Sequence, residues 1–436
     1  MTNSLASGSQ TLTVELLSRV EGEGGMNIHV RDGEVLDVEL RIFEPPRFFE
    51  AFLRGRSYTE PPDITARICG ICPVAYQMSA CRALEDACGV HVPEEIRLLR
   101  RLLYCGEWIE SHALHIFFLH APDLLGYAGA VEMAQDHREL VESALRMKRA
   151  GNDLMTAVGG RAVHPINVRL GGFHRLPNRD DLVALRPALV SARDEARAAM
   201  PILAGFEFPE FEQPYPFLSL DSEHGYPMES GSLISSTGLS APVQTFNDHV
   251  VEQHVDHSNA LHSTFDGEAY VVGPLARYSL NQSSLTPLAR ECAEMGGLGP
   301  ICRNPFRSII VRAVELVQAL DESIRIIDGW TGAPMPWVPV PVPAGSVEGH
   351  GATEAPRGLL YHRYRIDDTG TILDAQITPP TAQNQGAIEA DLRAFVQAHL
   401  DLSHEELTHM CEIAIRTYDP CISCATHFLD LRIEGQ

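Results

Sequence analysis

Four of the ten cysteines in this 436-residue chain come in two pairs of identical spacing. Near the N-terminus stands Arg67-Ile68-Cys69-Gly70-Ile71-Cys72-Pro73, and near the C-terminus Asp419-Pro420-Cys421-Ile422-Ser423-Cys424-Ala425-Thr426-His427. Two thiolates three positions apart in a tight turn can hold one soft metal ion. One such pair is a weak signal. Two pairs, with a histidine three residues past the last cysteine and spacers that let the backbone curl round an ion, make a stronger one.

Other uses of the spacing fit less well. A redox dithiol usually opens a helix in a small βαβ unit, and neither pair follows a buried strand run. Structural zinc gathers its ligands within one short stretch, because it holds a small unit together. Pairs separated by almost the whole chain need a finished fold to meet. Spacing alone leaves an iron–sulfur cluster open.

The segments around these pairs resemble the two signature motifs of the large, catalytic subunit of [NiFe]-hydrogenases. The likeness continues in Arg19-Val20-Glu21-Gly22-Glu23-Gly24, in Glu50-x-x-Leu53-x-Gly55-Arg56 and in Glu354-Ala355-Pro356-Arg357-Gly358. It implies reversible heterolytic cleavage of dihydrogen at a nickel held by Cys69, Cys72, Cys421 and Cys424. Cys72 and Cys424 would also bind an iron carrying cyanide and carbon monoxide. Such cleavage needs a soft metal, a base for the proton and an acceptor for the hydride, and a polarisable thiolate can be that base. By resemblance Cys421 takes the proton, Glu21 relays it outward, and Arg357 hangs its guanidinium over the metals, with Pro356 and Asp419 shaping the pocket. Read without the motif, Glu21 is a solvated turn residue, Pro356 a loop turn and Asp419 an Asx-type turn.

The resemblance implies further parts. A magnesium, or another divalent ion, would be held by Glu50, His427 and the main-chain carbonyl of Ile377; oxygen ligands suit such an ion, and the histidine is less usual. Electrons would leave through a small subunit with iron–sulfur clusters, since no further cysteine cluster here has the spacing for that wiring. Flavin subunits reacting with NAD(P) would lie beyond it. A maturation endopeptidase would cut after His427 and remove Phe428–Gln436, although the apolar residues of that tail could also make a retained strand.

Two positions depart from the well-studied membrane-bound and periplasmic members: Tyr76 replaces a histidine and Ser111 an aspartate. Tyr76, Gln383 and Ala425-Thr426-His427 instead look like the soluble cytoplasmic NAD(P)-linked group. His112, His115 and His120 form a helical stripe, read as core hydrogen-bonders rather than metal ligands. The alternative is a nickel-free core subunit of a respiratory complex of the same ancestry; all four cysteines argue against it.

The elements that must position these residues read as mainly α with small β units, an α+β chain with a long-helix bundle core and β hairpins near both ends. Thr11–Leu17 and Met26–Phe43 alternate as strands, with an Asp32-Gly33 turn. Pro73 starts a helix that runs to Gly89 and sets the first thiol pair at its N-terminus, where the dipole favours thiolate. Glu94–His120 reads as a buried central helix closed before Pro122. Further helices are expected at Ala130–Ala157, Asp181–Ala204, Val243–His262 and Pro305–Trp330. Gly- and Pro-rich loops are expected at Gly159–Arg175, Phe206–Thr237 and Thr331–Pro356, and a second hairpin at Leu359–Ile366 and Thr371–Thr378. No linker divides the chain, so residues 1–436 are expected to form one domain.

Composition bounds the rest. A formal charge of −24 argues against sequence-independent binding to nucleic acid or an anionic membrane surface. Hydrophobic residues at 44% and charged ones at 21% suit a sizeable core. Unpaired thiols at Cys81, Cys88, Cys105, Cys292, Cys302 and Cys411 point to a reducing cytoplasm. Met1–Gln10 lacks the features of a signal peptide, and no stretch reads as a membrane span.

Overall fold

The computed structural model describes residues 8–426. Three antiparallel strands, Ser9–Val14, Gly24–Arg31 and Glu34–Ile42, open the fold. Asp32 (φ 49°) and Gly33 (φ 81°) both turn through the left-handed region between the last two, as a tight hairpin requires. The helix Pro73–Ala87 follows the first thiol pair, with proline in its first turn where no backbone donor is needed.

The central layer is a set of long helices: Glu94–Leu114, Arg138–Gly159, Arg179–Ala204 and Ser308–Gly329. Their apolar stripes face one another, and one continuous cluster of buried side chains runs from Leu12 to Cys424. Charge is buried there too. Arg101 pairs with Glu229 and Glu322, and Arg100 with Glu85, so these core guanidiniums have their carboxylates.

A second three-stranded antiparallel sheet, Val347–Ala355, Gly358–Ile366 and Ile372–Thr378, lies against the Pro73–Ala87 helix. That contact needs glycine. A Cβ on Gly349 would come within 2.1 Å of the Ala83 carbonyl oxygen, and one on Gly351 within 2.5 Å of the Ala83 nitrogen. The helices Pro380–Ala398 and His404–Thr417 then carry the chain to the second thiol pair. Ser403 and Glu406 cap the latter reciprocally.

Helices dominate, with small antiparallel sheets between them, as the sequence leads one to expect. Several expectations need correction. Val243–His262 is not a helix: two short helical turns lead into the antiparallel strands Val250–Val255 and Ser258–Phe265. Recurring valines fit both periods over so short a span, and the Asp256-His257-Ser258-Asn259 turn formers decide for a hairpin. The expected Ala130–Ala157 helix breaks at His137, and Thr331–Pro356 contains a strand as well as its proline-rich loop. The Glu94–His120 helix holds to Leu114 and continues as a wider π-type turn, His115–His120; Pro122 then sits in the first turn of Ala121–Leu125. No helix among the described residues is long and apolar enough to cross a membrane.

Candidate metal centre

The fold brings the two thiol pairs together. Cys69 Sγ lies 3.5 Å from Cys421 Sγ, Cys72 Sγ 3.6 Å from Cys424 Sγ, and Cys421 Sγ 2.7 Å from Cys424 Sγ. All four sulfurs fall within 4.8 Å of one another and all four residues are buried. All ten cysteines are free thiols.

The first loop is held locally. Cys69 Sγ accepts the N–H groups of Ile71 (3.3 Å) and Cys72 (3.4 Å). In the first turn of the following helix the free N–H groups do not donate to sulfur. Those of Val74 and Ala75 donate instead to the buried Glu107 carboxyl, at 2.6 and 3.1 Å. The second loop is held by distant segments. Its only helix is the single turn Ile422–Ala425. The Cys421 N–H donates to Thr381 Oγ1 (2.9 Å), the Ile422 N–H to the Glu21 carbonyl (3.0 Å) and the Ser423 N–H to Glu21 Oε2 (3.0 Å). Arg47, outside every motif noted in the sequence, donates to the carbonyls of Ile68 (2.7 Å) and Ser423 and so clips both loops together.

Glu21 Oε2 also lies 3.1 Å from Cys421 Sγ, and the residue is half-buried, so this carboxylate spans the distance from sulfur toward the surface. Ser423 Oγ donates at 3.0 Å to a second carboxylate, Glu44, which no motif had flagged.

Arg357 occupies the tip of a two-residue hairpin turn, Pro356-Arg357, between paired Ala355 and Gly358. Its Nε and Nη2 donate to the Asp419 carbonyl (2.8 Å) and Oδ1 (3.0 Å). Burial raises the Asp419 carboxyl, and Arg357 opposes that. The tip is fixed from behind by Arg277, which donates to the carbonyls of Ala355 (2.6 Å) and Pro356 (2.9 Å). Arg277 in turn is gripped by Glu315 at 2.8 Å through both oxygens. Neither Arg277 nor Glu315 carries a sequence signal, because a buried ion pair between remote helices leaves no local pattern.

The charges set what this pocket can hold. Hydrogen bonds from Cys421 and the other two thiols keep Cys69 well below the usual thiol range, while burial and its thiol neighbours push Cys421 well above it. Four thiolates therefore need a multiply charged cation beside them. Arg357 Nη1 and Asp419 Oδ2 are buried without hydrogen-bond partners among the described residues, leaving a donor and an acceptor for a bound group. Soft sulfur ligands with a fixed cation nearby suit a late first-row transition metal bearing anionic ligands.

Glu50, on the short helix Phe49–Leu53, accepts the Ile377 N–H at 2.7 Å. Ile377 thus meets Glu50 through its N–H, whereas the expected ion ligand is its carbonyl, in the next peptide unit. Burial, then the nearby Glu252, lifts Glu50 to about 8, and burial lifts Glu252 to about 7. Two carboxyls so disposed favour a cation. Glu252 lies in the Val250–Phe265 hairpin, where the sequence pattern predicts a helix and gives no sign of this approach. His427 lies outside the described residues.

All three histidines of the stripe are buried, but His120 has no hydrogen-bond partner among the described residues, against the expectation of core hydrogen-bonders. His112 Nε2 sits 3.1 Å from Glu315, and His115 Nε2 2.8 Å from the Arg416 carbonyl. Tyr76 is buried with its ring 5.7 Å from that of His362, and the Ser111 hydroxyl has no partner among the described residues.

A family model described as nickel-dependent hydrogenase matches residues 47–142 and 244–427. The chain belongs to that family, as a large subunit. The alpha subunit of sulfhydrogenase 1 from Pyrococcus furiosus is 34% identical over 427 residues, covering 96% of this chain and 98% of its own. The beta subunit of the NAD-reducing hydrogenase HoxS from Cupriavidus necator is 28% identical over 470 residues, covering 97% and 95%. Among solved structures, an NAD+-reducing [NiFe]-hydrogenase in the H2-reduced state superposes with a TM-score of 0.85 at 27% identity, over 96% of this chain and 99% of that one. A [NiFeSe] hydrogenase from Desulfovibrio vulgaris Hildenborough, 23% identical with a TM-score of 0.80 over 97% and 100%, shares the fold. This hydrogenase is an oxidoreductase that activates hydrogen, and its four-thiol cluster is the metal-binding group expected of a nickel-dependent enzyme.

Proposed function

We propose that this chain catalyses reversible heterolytic cleavage of dihydrogen at a nickel–iron group, for which Cys69, Cys72, Cys421 and Cys424 would supply the nickel ligands and Cys72 and Cys424 would also serve the iron. When bound, such a group, with cyanide and carbon monoxide on iron, supplies a soft acceptor for the electron pair of dihydrogen. The observation that carries the reading is the 3.1 Å approach of Glu21 Oε2 to Cys421 Sγ inside a buried four-thiol cluster. Cys421 accepts the proton and Glu21 takes it on, since a carboxylate at hydrogen-bond reach of the sulfur can pass it outward. Arg357, anchored on Asp419 and with Nη1 unpartnered, donates to ligands in the pocket, and Pro356 and Asp419 shape the wall around them.

Glu50, His427 and the Ile377 carbonyl are assigned to a magnesium or similar hard ion; the raised Glu50 and Glu252 carboxyls support a cation there. An iron–sulfur small subunit takes the electrons. Flavin subunits pass them to NAD(P) in the cytoplasm, a reading supported by the NAD-reducing relatives. A maturation endopeptidase removes Phe428–Gln436; the intact mass of the active large subunit tests this, and a competent enzyme retaining the tail overturns it.

The central test is Glu21→Gln. Nickel content and the infrared bands of cyanide and carbonyl should match wild type, while hydrogen uptake and exchange of deuterium with water protons fall about 10²–10⁴-fold. Wild-type exchange in that variant would remove Glu21 from the proton route. Freed of all partners and fully metallated, the chain should not reduce pyridine nucleotide.

A further inference from the structure

Away from the thiol pocket, three side chains from two elements converge on one point. His257 sits in the turn between the strands Val250–Val255 and Ser258–Phe265, His262 lies on the second of these strands, and Glu389 projects from the helix Pro380–Ala398. His257 Nε2 is 2.7 Å from Glu389 Oε1, and His262 Nδ1 is 3.9 Å from Glu389 Oε2. One ligand atom from each of the three falls within 4.8 Å of the others. Ligands bound to zinc at about 2.0–2.1 Å with tetrahedral angles stand roughly 3.4 Å apart, so the two measured separations bracket that value. An ion seated among them requires only small side-chain adjustments.

The setting suits a resident cation with one open position. His262 is buried and His257 and Glu389 are only partly exposed, while the site borders an open hollow of about 650 Å³ lined by Glu34, Asp37, Arg393 and Gln397 among others. Glu34 and Asp37 add negative charge at this rim. Arg393 opposes it, with its guanidinium 3.9 Å from Asp37. Glu389 Oε1 is also fixed by the Leu40 N–H at 2.8 Å, which preorganises the carboxylate.

We propose that His257, His262 and Glu389 form a second metal site, for zinc, that staples the Val250–Phe265 hairpin to the Pro380–Ala398 helix and keeps a water in its fourth position. Two neutral imidazoles and one carboxylate form a ligand set typical of a borderline ion with an open coordination position, distinct from the soft four-sulfur set of the other pocket. On binding, His257 carries its proton on Nδ1 and presents Nε2 to the metal, so the hydrogen bond to Glu389 is exchanged for two bonds to the ion.

The test uses the fully metallated holoenzyme, treated with a mild chelator and titrated with zinc against a chromophoric competitor. Wild type should take up one more equivalent of zinc than the His257→Gln variant, whose substitution lies in a turn and leaves the fold intact. Zinc-edge X-ray absorption should show only nitrogen and oxygen neighbours. Glu389→Gln, which keeps an acceptor for the Leu40 N–H, should weaken zinc at least tenfold, and zinc should raise the thermal midpoint of wild type but of neither variant. Equal uptake by wild type and His257→Gln, or sulfur neighbours in the zinc spectrum, would overturn the site.

Discussion

The two thiol loops share a spacing and differ in what holds them. Cys69-Gly70-Ile71-Cys72 opens a helix of 15 residues, and its cysteines accept or flank hydrogen bonds made within the loop itself. Cys421-Ile422-Ser423-Cys424 has one helical turn of its own and is held by Glu21, Arg47 and Thr381, which lie from 40 to 402 positions away in sequence. A loop that continues into a long helix inherits its geometry from local hydrogen bonds; a loop with a single helical turn of its own must borrow it from segments that only tertiary folding supplies. Cys421, the proposed proton acceptor, sits on the borrowed loop, and the carboxylate that holds that loop's backbone also touches its sulfur.

The contrast can be broken by removing what each loop depends on. The largest effect is expected from the ligands: Cys69→Ala should abolish nickel retention and hydrogen uptake, while Cys88→Ala, remote from the cluster, leaves both nearly intact. Metal analysis of the two purified variants decides it, and normal nickel in the first would dissolve the assignment. Next comes Arg47→Ala, which strips hydrogen bonds from Ile68 and Ser423 and should cost about 2–3 kcal/mol with a marked loss of nickel; Arg47→Lys should recover only part.

Asp391 sharpens the comparison through pH. It accepts the Tyr418 hydroxyl at 2.6 Å, three residues before Cys421, and burial lifts it from 3.8 to about 6. Between those values the folded protein keeps a proton that the unfolded chain has released. The contribution is therefore full below about pH 4, is lost as pH rises through 6, and is flat above. Followed by thermal midpoint from pH 4.5 to 7, the stability of wild type should fall by roughly 2 kcal/mol more than that of Asp391→Asn, in which the other raised carboxyls still titrate. The smallest effect belongs to the local loop. Glu107→Gln keeps one acceptor for the helix N-terminus and should cost about 1 kcal/mol, with nickel retained. Loss of nickel from Glu107→Gln, equal to that from Arg47→Ala, would erase the distinction between the loops.

Much of this was legible in residue order. The helix after Pro73, the Asp32-Gly33 turn and the predominance of helix follow from caps, turn chemistry and period, all local properties. The Val243–His262 error has a local cause as well: a short valine-rich run fits two periods, and only its partner strand and the sheet-like burial of Ala260 and Phe265 choose between them. The hairpin, unlike a helix, sets Glu252 near Glu50 and brings His257 and His262 to Glu389, since their convergence depends on the turn.

By itself the sequence determined the ligand chemistry: four thiols in two pairs, a carboxylate in Arg19-Val20-Glu21 and a cation in Ala355-Pro356-Arg357, because side-chain type and short spacing survive without a fold. Tertiary structure alone decided that Glu21 reaches Cys421, that Arg277 and Glu315 brace Arg357 from behind, and that Arg47 ties the two loops together. Each of these is a contact between segments far apart in the chain, and a linear sequence records the partners of such a contact without recording that they meet.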